Sequence, residues 1–301
     1  MRLLPLILPI LAVMLVSGCT VPGFTSAGGG SGVVIETLEP DFSSVFEGES
    51  VQLQMKIKNT GSVDATEVKA AIFGMEKWTL QDKTKGSTCT LAESWSLLAP
   101  DEARGTSGGS KSCIYAYKSP SGIAKGLSMS YSPTVRVTYK YNTNTIKSIT
   151  LLSSTEARRI EQQGGALPSE TVSTTSSPVS VNIVTKGPIK VFKDGLQFPL
   201  EITVNNAGGG VVSTTISSKD WNKVKLYVTL PAGLTSNATD CPVGKAKART
   251  LTLFKGQSNT ITCTVAVTTA PTVPKQVQIT ANAENYYYFT EKSTTVTLTG
   301  I

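Results

Sequence analysis

The side chains of this chain able to do chemistry are sulfur, cations and rings; the 301-residue sequence contains no histidine. Without imidazole there is no Ser-His or Cys-His nucleophile pair, no His-bearing zinc site and no proton shuttle titrating near neutral pH. Carboxylates are scattered, and Glu47 and Glu49 read as turn residues rather than an acid-base pair. No phosphate-cradling glycine motif precedes a helix, since Gly208-Gly209-Gly210 runs into Val211-Val212. The expectation is a protein that binds without catalysing, with no cofactor and no metal.

Five cysteines divide into one plus four. Cys19 follows Arg2, the apolar run Leu3 to Leu15 and Val16-Ser17-Gly18, the pattern of a secretory signal (1–18) ending in a lipobox. An uncleaved anchor is the competing reading, but the run is shorter than the roughly 20 residues a spanning helix needs. Lipid on Cys19 predicts export and tethering to the outer face of a membrane. It leaves Cys89 with Cys113 and Cys241 with Cys263, one pair in each half, as expected disulfides tying a strand to the loop or edge strand before it.

Two further clusters could make contacts. Lys245, Lys247 and Arg249 alternate, so on a strand they form one basic face, suited to an anionic polymer or headgroups, or to guarding a sheet edge. Tyr286-Tyr287-Tyr288-Phe289 would alternate two rings into a core and two outward, as core filling or as a platform for a protein or polysaccharide partner, with Tyr141 at the matching place in the first half. Asn237-Ala238-Thr239 is an N-glycosylation acceptor motif. The net charge of +7 has no basic stripe, which argues against nucleic acid.

The elements that must position these residues read as strands. Charged residues are only 16% of the chain, and sustained helical periodicity is missing outside one segment. Val51, Leu53, Met55 and Ile57 alternate with Gln52, Gln54, Lys56 and Lys58, a half-buried strand, and Asn59-Thr60-Gly61 turns the chain into Val68, Ala70 and Ile72. Val135, Val137, Tyr139 and Tyr141 form another strand, turned by Asn142 to Asn144 and followed by Ile146 to Leu152. Trp78 and Trp95 read as core or edge packing. The order then repeats: Leu200, Ile202 and Val204 precede Asn206-Ala207-Gly208, Val224, Leu226 and Val228 follow, and Val296 to Leu298 echoes Ile149 to Leu151. Pro199 inside its strand marks an edge or a bulge.

These patterns predict an all-β fold of two tandem immunoglobulin-like β-sandwiches, 33–152 and 180–301. A Gly/Ser tether (19–32) precedes them. A linker (153–179) joins them, with a two-turn helix near Glu156 to Gln163 and a Ser/Thr stalk from Ser169 to Pro178. The run Phe46-Glu47-Gly48-Glu49-Ser50-Val51 to Ile57, then Asn59-Thr60-Gly61 and the Val68 strand, resembles the CARDB-like immunoglobulin-type modules of prokaryotic surface proteins. Asp194-Gly195 stands where the second unit would need Gly-Glu. The resemblance implies an adhesive or spacer module of a surface lipoprotein. Self-association by strand addition into a filament or layer is the alternative, and an accessory protein of a wall-polymer hydrolase a third.

Overall fold

The structure, a computed structural model, describes residues 32–236, 239 and 241–301. The leader, Cys19 and Asn237 therefore lie outside the described residues. Among the described residues the fold is all-β with several sheets and one short α-helix.

The first half supplies β1 (Val33–Pro40), β2 (Ser44–Phe46), β3 (Ser50–Asn59), β4 (Ala65–Phe73), β5 (Thr79–Leu80), β6 (Trp95–Leu97), β7 (Ser110–Lys118), β8 (Ser128–Tyr131) and the 20-residue β9 (Thr134–Ser153). Helix α1 (Ser154–Gln162) follows. The second half supplies β10 (Thr171–Thr174), β11 (Val179–Val184), β12 (Ile189–Val191), β13 (Gln197–Asn206), β14 (Val211–Ser213), β15 (Lys223–Thr229), β16 (Leu234–Thr235), β17 (Arg249–Thr252), β18 (Ser258–Val267), β19 (Lys275–Ser293) and β20 (Val296–Thr299).

The repeat seen in the sequence is repeated in the topology. A sheet ordered β1-β3-β7-β5 has its twin in β11-β13-β18-β16. The remaining strands are not shared out between two closed sandwiches, however. Nine of them join in one sheet whose main path is β17-β15-β19-β9-β4-β6 and which runs through both halves, and the other three form a small sheet ordered β2-β20-β8. Its centre is the antiparallel pairing of β9 with β19, from Thr134↔Ser293 to Leu151↔Lys275.

The expected turn at Asn142 to Asn144 does not form; β9 runs straight through it. The inward alternation continues across the Asn-Thr-Asn segment, because Thr143 and Thr145 are buried and their hydroxyls donate to the carbonyls of Val179 at 2.8 Å and Val181 at 2.7 Å. A polar core position satisfied in this way keeps a strand going where the residue types favour a turn. The expected Ser/Thr stalk is likewise partly sheet, with β10 pairing with Thr145 to Ser148 of β9. Helix α1 starts slightly earlier than expected, capped by Ser153, whose Oγ accepts from the Glu156 amide at 3.2 Å. Pro199 sits where β13 has run past the end of β11, whose last pair is Val184↔Glu201, so no ladder bond on that side is lost.

Val51, Leu53, Met55 and Ile57 all point into the core, as their alternation requires, and Trp78 packs edge-on to Tyr131 at 5.4 Å. Both disulfides are formed. Cys89, in a loop, bonds Cys113 in β7, and Cys241, also in a loop, bonds Cys263 in β18. Their sequence separations of 24 and 22 residues correspond to about 3 kcal/mol each from restriction of the unfolded chain. Reduction of both is expected to lower the unfolding free energy measured in urea by that combined amount, and the midpoint with it; an unchanged midpoint after verified reduction would refute it.

Candidate functional site

The aromatic run divides by face, starting from a bulge. Between Ala283 and Tyr286 the register of β19 shifts, and Asn285 takes φ +55°, tolerated by asparagine better than by most side chains. Tyr286 and Tyr288 then point inward and Tyr287 and Phe289 outward.

The inward rings are core. Tyr139, Tyr141, Tyr286 and Tyr288 form a buried group in which Tyr139 lies 5.8 Å from both Tyr141 and Tyr288, and Tyr141 6.4 Å from Tyr286. Their hydroxyls are engaged. Tyr286 shares a 2.9 Å bond with the Thr143 hydroxyl, while Tyr288 donates to Asn206 Oδ1 at 2.8 Å and accepts from the Gly210 amide at 2.8 Å. Burial pushes the phenols of Tyr141 and Tyr288 up to about 12. Tyr286 and Tyr288 are thus unavailable as a platform. Phe289, on the outer face, is buried beside Trp221 at 6.0 Å.

Tyr287 is half-exposed and opens onto a cleft of about 400 Å³ lined by Lys140, Lys225, Tyr227, Lys245, Glu284 and others. It lies on the outer face of the nine-stranded sheet, where β9, β15 and β19 meet. Lys225 and Tyr227 alternate with the buried Val224, Leu226 and Val228 of β15, which is why they face outward.

Two carboxylates organise the cations. Glu67 accepts from the Tyr287 hydroxyl at 2.7 Å and from Lys140 Nζ at 3.1 Å. Glu284 accepts from the Tyr227 hydroxyl and pairs with Lys245 Nζ at 2.6 Å. The Tyr287 and Lys140 bonds hold the Glu67 carboxyl below its ordinary range, and Lys245 then Tyr227 do the same for Glu284. Both carboxylates stay ionised at neutral pH. The stability they contribute is present above the unfolded carboxylate pKa and is lost as pH falls through the lower folded value. An NMR titration is expected to place both below a model glutamate, and an ordinary value for either would contradict these contacts. Lys225 makes no salt bridge with a described residue. Lys140 Nζ stands 5.7 Å from the Tyr287 ring centre, and Arg136 lies over Phe73 at 4.9 Å, so cations and rings alternate across this face.

The basic trio is not a strand face. Lys245–Lys247 form a 3₁₀ turn after Gly244, whose φ of +82° bends the chain, and only Arg249 belongs to a strand, opening β17. The Gly244 amide donates to Val228 O at 2.8 Å, anchoring the bend beside the Cys241 disulfide. Of the three, only Lys245 joins the cleft. Lys140, Glu67, Tyr227 and Glu284 were not singled out from the sequence; their signal was their place between buried neighbours on strands, which marks a face but not a cleft. Among the described residues no group of three or more His, Cys, Asp or Glu could hold a metal. No helix there is long and apolar enough to cross a membrane.

The fold and site define an all-β, disulfide-stapled protein with a cationic and aromatic cleft on its largest sheet. No family model matches the chain, the CARDB-like modules included, and no curated protein matches it. Among solved structures, a mutant of Salmonella alpha-2-macroglobulin is 9% identical at a TM-score of 0.21, covering 90% of this chain and 23% of that one. The Enterococcus faecalis MSCRAMM ACE is 7% identical at 0.13 (89% and 95% covered), and the CupB6 tip adhesin of Pseudomonas aeruginosa 10% identical at 0.14 (91% and 97%). The chain spans under a quarter of the first of these. The likeness to such bacterial proteins is weak and carries no function across.

Proposed function

We propose that this chain is a non-catalytic surface lipoprotein, tethered through Cys19, that binds an acidic polysaccharide in the cleft around Tyr287. The observation that carries this reading is the cleft itself. The rings of Tyr287 and Tyr227 offer flat apolar faces, Lys225 offers an ammonium with no salt bridge to a described residue, and Lys140 and Lys245 are held in place by Glu67 and Glu284. Ring faces beside cations suit a sugar carrying carboxylate or sulfate. Two disulfides favour an oxidising compartment, consistent with export. The twin sheets β1-β3-β7-β5 and β11-β13-β18-β16 support the reading of two immunoglobulin-type units as the scaffold.

Two measurements test it. Intact mass from host membranes is expected to show a chain beginning at Cys19 with added acyl mass, and an unlipidated chain retaining residues 1–18 would remove the tether. Binding to immobilised heparin and polygalacturonate is expected to weaken at least tenfold in Lys225→Glu and in Tyr287→Ala. Retention equal to that of the parent would place binding elsewhere.

A further inference from the structure

We infer that the two halves of this chain have exchanged their closing strands, so that each half is completed by the other. The outer edge of β9 shows the crossing. Over Thr134 to Lys140 it is paired by β4 of the first half, and over Thr145 to Ser153 by β10 and β12 of the second. The return crossing is made by β19 and its continuation. β15 and β14 of the second half pair β19 at Thr280 to Ala283 and at Tyr287 to Phe289. Beyond the turn, β20 seats in the first half, between β2 in parallel and β8 antiparallel.

The two crossings are equivalent. Tyr141 takes the Val63 amide at 3.1 Å and lies beside Asn59 Oδ1, as Tyr288 takes the Gly210 amide and Asn206 Oδ1 in the other half. In register, Tyr139 faces Tyr288, Lys140 faces Tyr287 and Tyr141 faces Tyr286, so a local two-fold passes near the Lys140–Tyr287 pair. The first crossing falls where a hairpin could have turned. Asn142-Thr143-Asn144 runs straight, and opposite it Asn285 holds a left-handed φ of +55° while its amide donates to Asn142 Oδ1 at 2.6 Å. Had the first half closed its hairpin there, and β19 turned back directly after Phe289, the last residue that β14 pairs, the end of β9 would lie in the first half and β20 in the second.

The consequence is mechanical. β2 and β20 lie side by side, so both ends of the described chain belong to the first half, and the second half is held chiefly by β9 and β19. A load drawing the halves apart must slide these two long strands past each other rather than peel a short edge.

The test uses the full chain with a protease site placed at Gly164-Gly165, an exposed segment after α1. After cutting, the pieces are expected to co-elute at the mass of the uncut chain and to separate only in the denaturant range where the protein unfolds. Separation in native buffer would overturn the inference. Because halves that merely pack tightly would also co-elute, Ser128→Cys/Thr299→Cys is the second arm; those side chains lie 3.0 Å apart across β8 and β20. A near-quantitative disulfide within single chains supports the exchange, and its failure in a folded monomer places β20 elsewhere and refutes it.

Discussion

Replacing Asn59 by alanine is expected to cost about 3 kcal/mol of stability. Asn59 is fully buried at the end of β3, and its amide nitrogen donates to Val63 O at 2.8 Å and Leu97 O at 3.0 Å. Its Oδ1 accepts from the Gly61 amide at 3.1 Å and lies near the Tyr141 hydroxyl. One side chain thus ties together the β3–β4 turn, β6 and the central strand β9. Alanine leaves two carbonyls and an amide without partners, each costing about 1 kcal/mol or more where water cannot reach. Loss of 3 kcal/mol is a large share of the roughly 5–15 kcal/mol that holds a domain together. The counterpart Asn206 makes the matching donor bonds, to Gly210 O at 2.8 Å and Gly256 O at 3.0 Å, and accepts from the Tyr288 hydroxyl, but is only half-buried. Asn206→Ala is therefore expected to cost about half as much, water replacing part of the loss. Urea denaturation of both variants checks the order. Equal costs, or a larger one for Asn206, would mean that burial does not set the penalty.

That asparagine also shows what the sequence could convey. Asn59-Thr60-Gly61 and Asn206-Ala207-Gly208 were legible as turns and as repeat markers, and the alternating strands before them were legible because period-two burial is written in the residues. The cysteine pairing was legible for a similar reason, one pair lying in each half. The joining of the halves was not. Asn142-Thr143-Asn144 carries turn-forming residue types, and what overrides them is Thr143 and Thr145 reaching the carbonyls of Val179 and Val181, residues distant in sequence. A local pattern cannot report whether a strand turns back onto its own half or runs on into another. The cleft was hidden for the same reason. Lys140, Lys225 and Glu67 come from three strands and share a surface only because β9 and β19 cross, whereas Lys245, Lys247 and Arg249 were adjacent in sequence and were read as a unit they do not form. Tyr287 was legible within the run Tyr286 to Phe289, whose alternation implied two rings inward and two outward but not which pair would face the core.

The crossing strand carries the second large effect. Lys147 of β9 and Glu170 just before β10 pair at 2.8 Å, and each side chain is only 10% exposed. Glu170 Oε2 also accepts from the Thr185 hydroxyl at 2.8 Å, and its Oε1 is buried with no partner among the described residues. Two charges withdrawn from water recover their desolvation cost only through each other. Lys147→Met is expected to cost about 3–5 kcal/mol, since it strands the carboxylate in a site built for an ion pair. Removing both charges is a different matter. Lys147→Met combined with Glu170→Leu fills the same space with apolar groups, leaves no uncompensated ion and is expected to regain most of the loss, ending within about 1 kcal/mol of the parent. The comparison belongs in a double-mutant cycle measured by urea denaturation. A double variant as unstable as the single one would show that the pair acts through shape rather than charge. A single variant costing under 1 kcal/mol would show that water reaches Glu170, and β10 would then not be sealing the edge of β9 as this geometry requires.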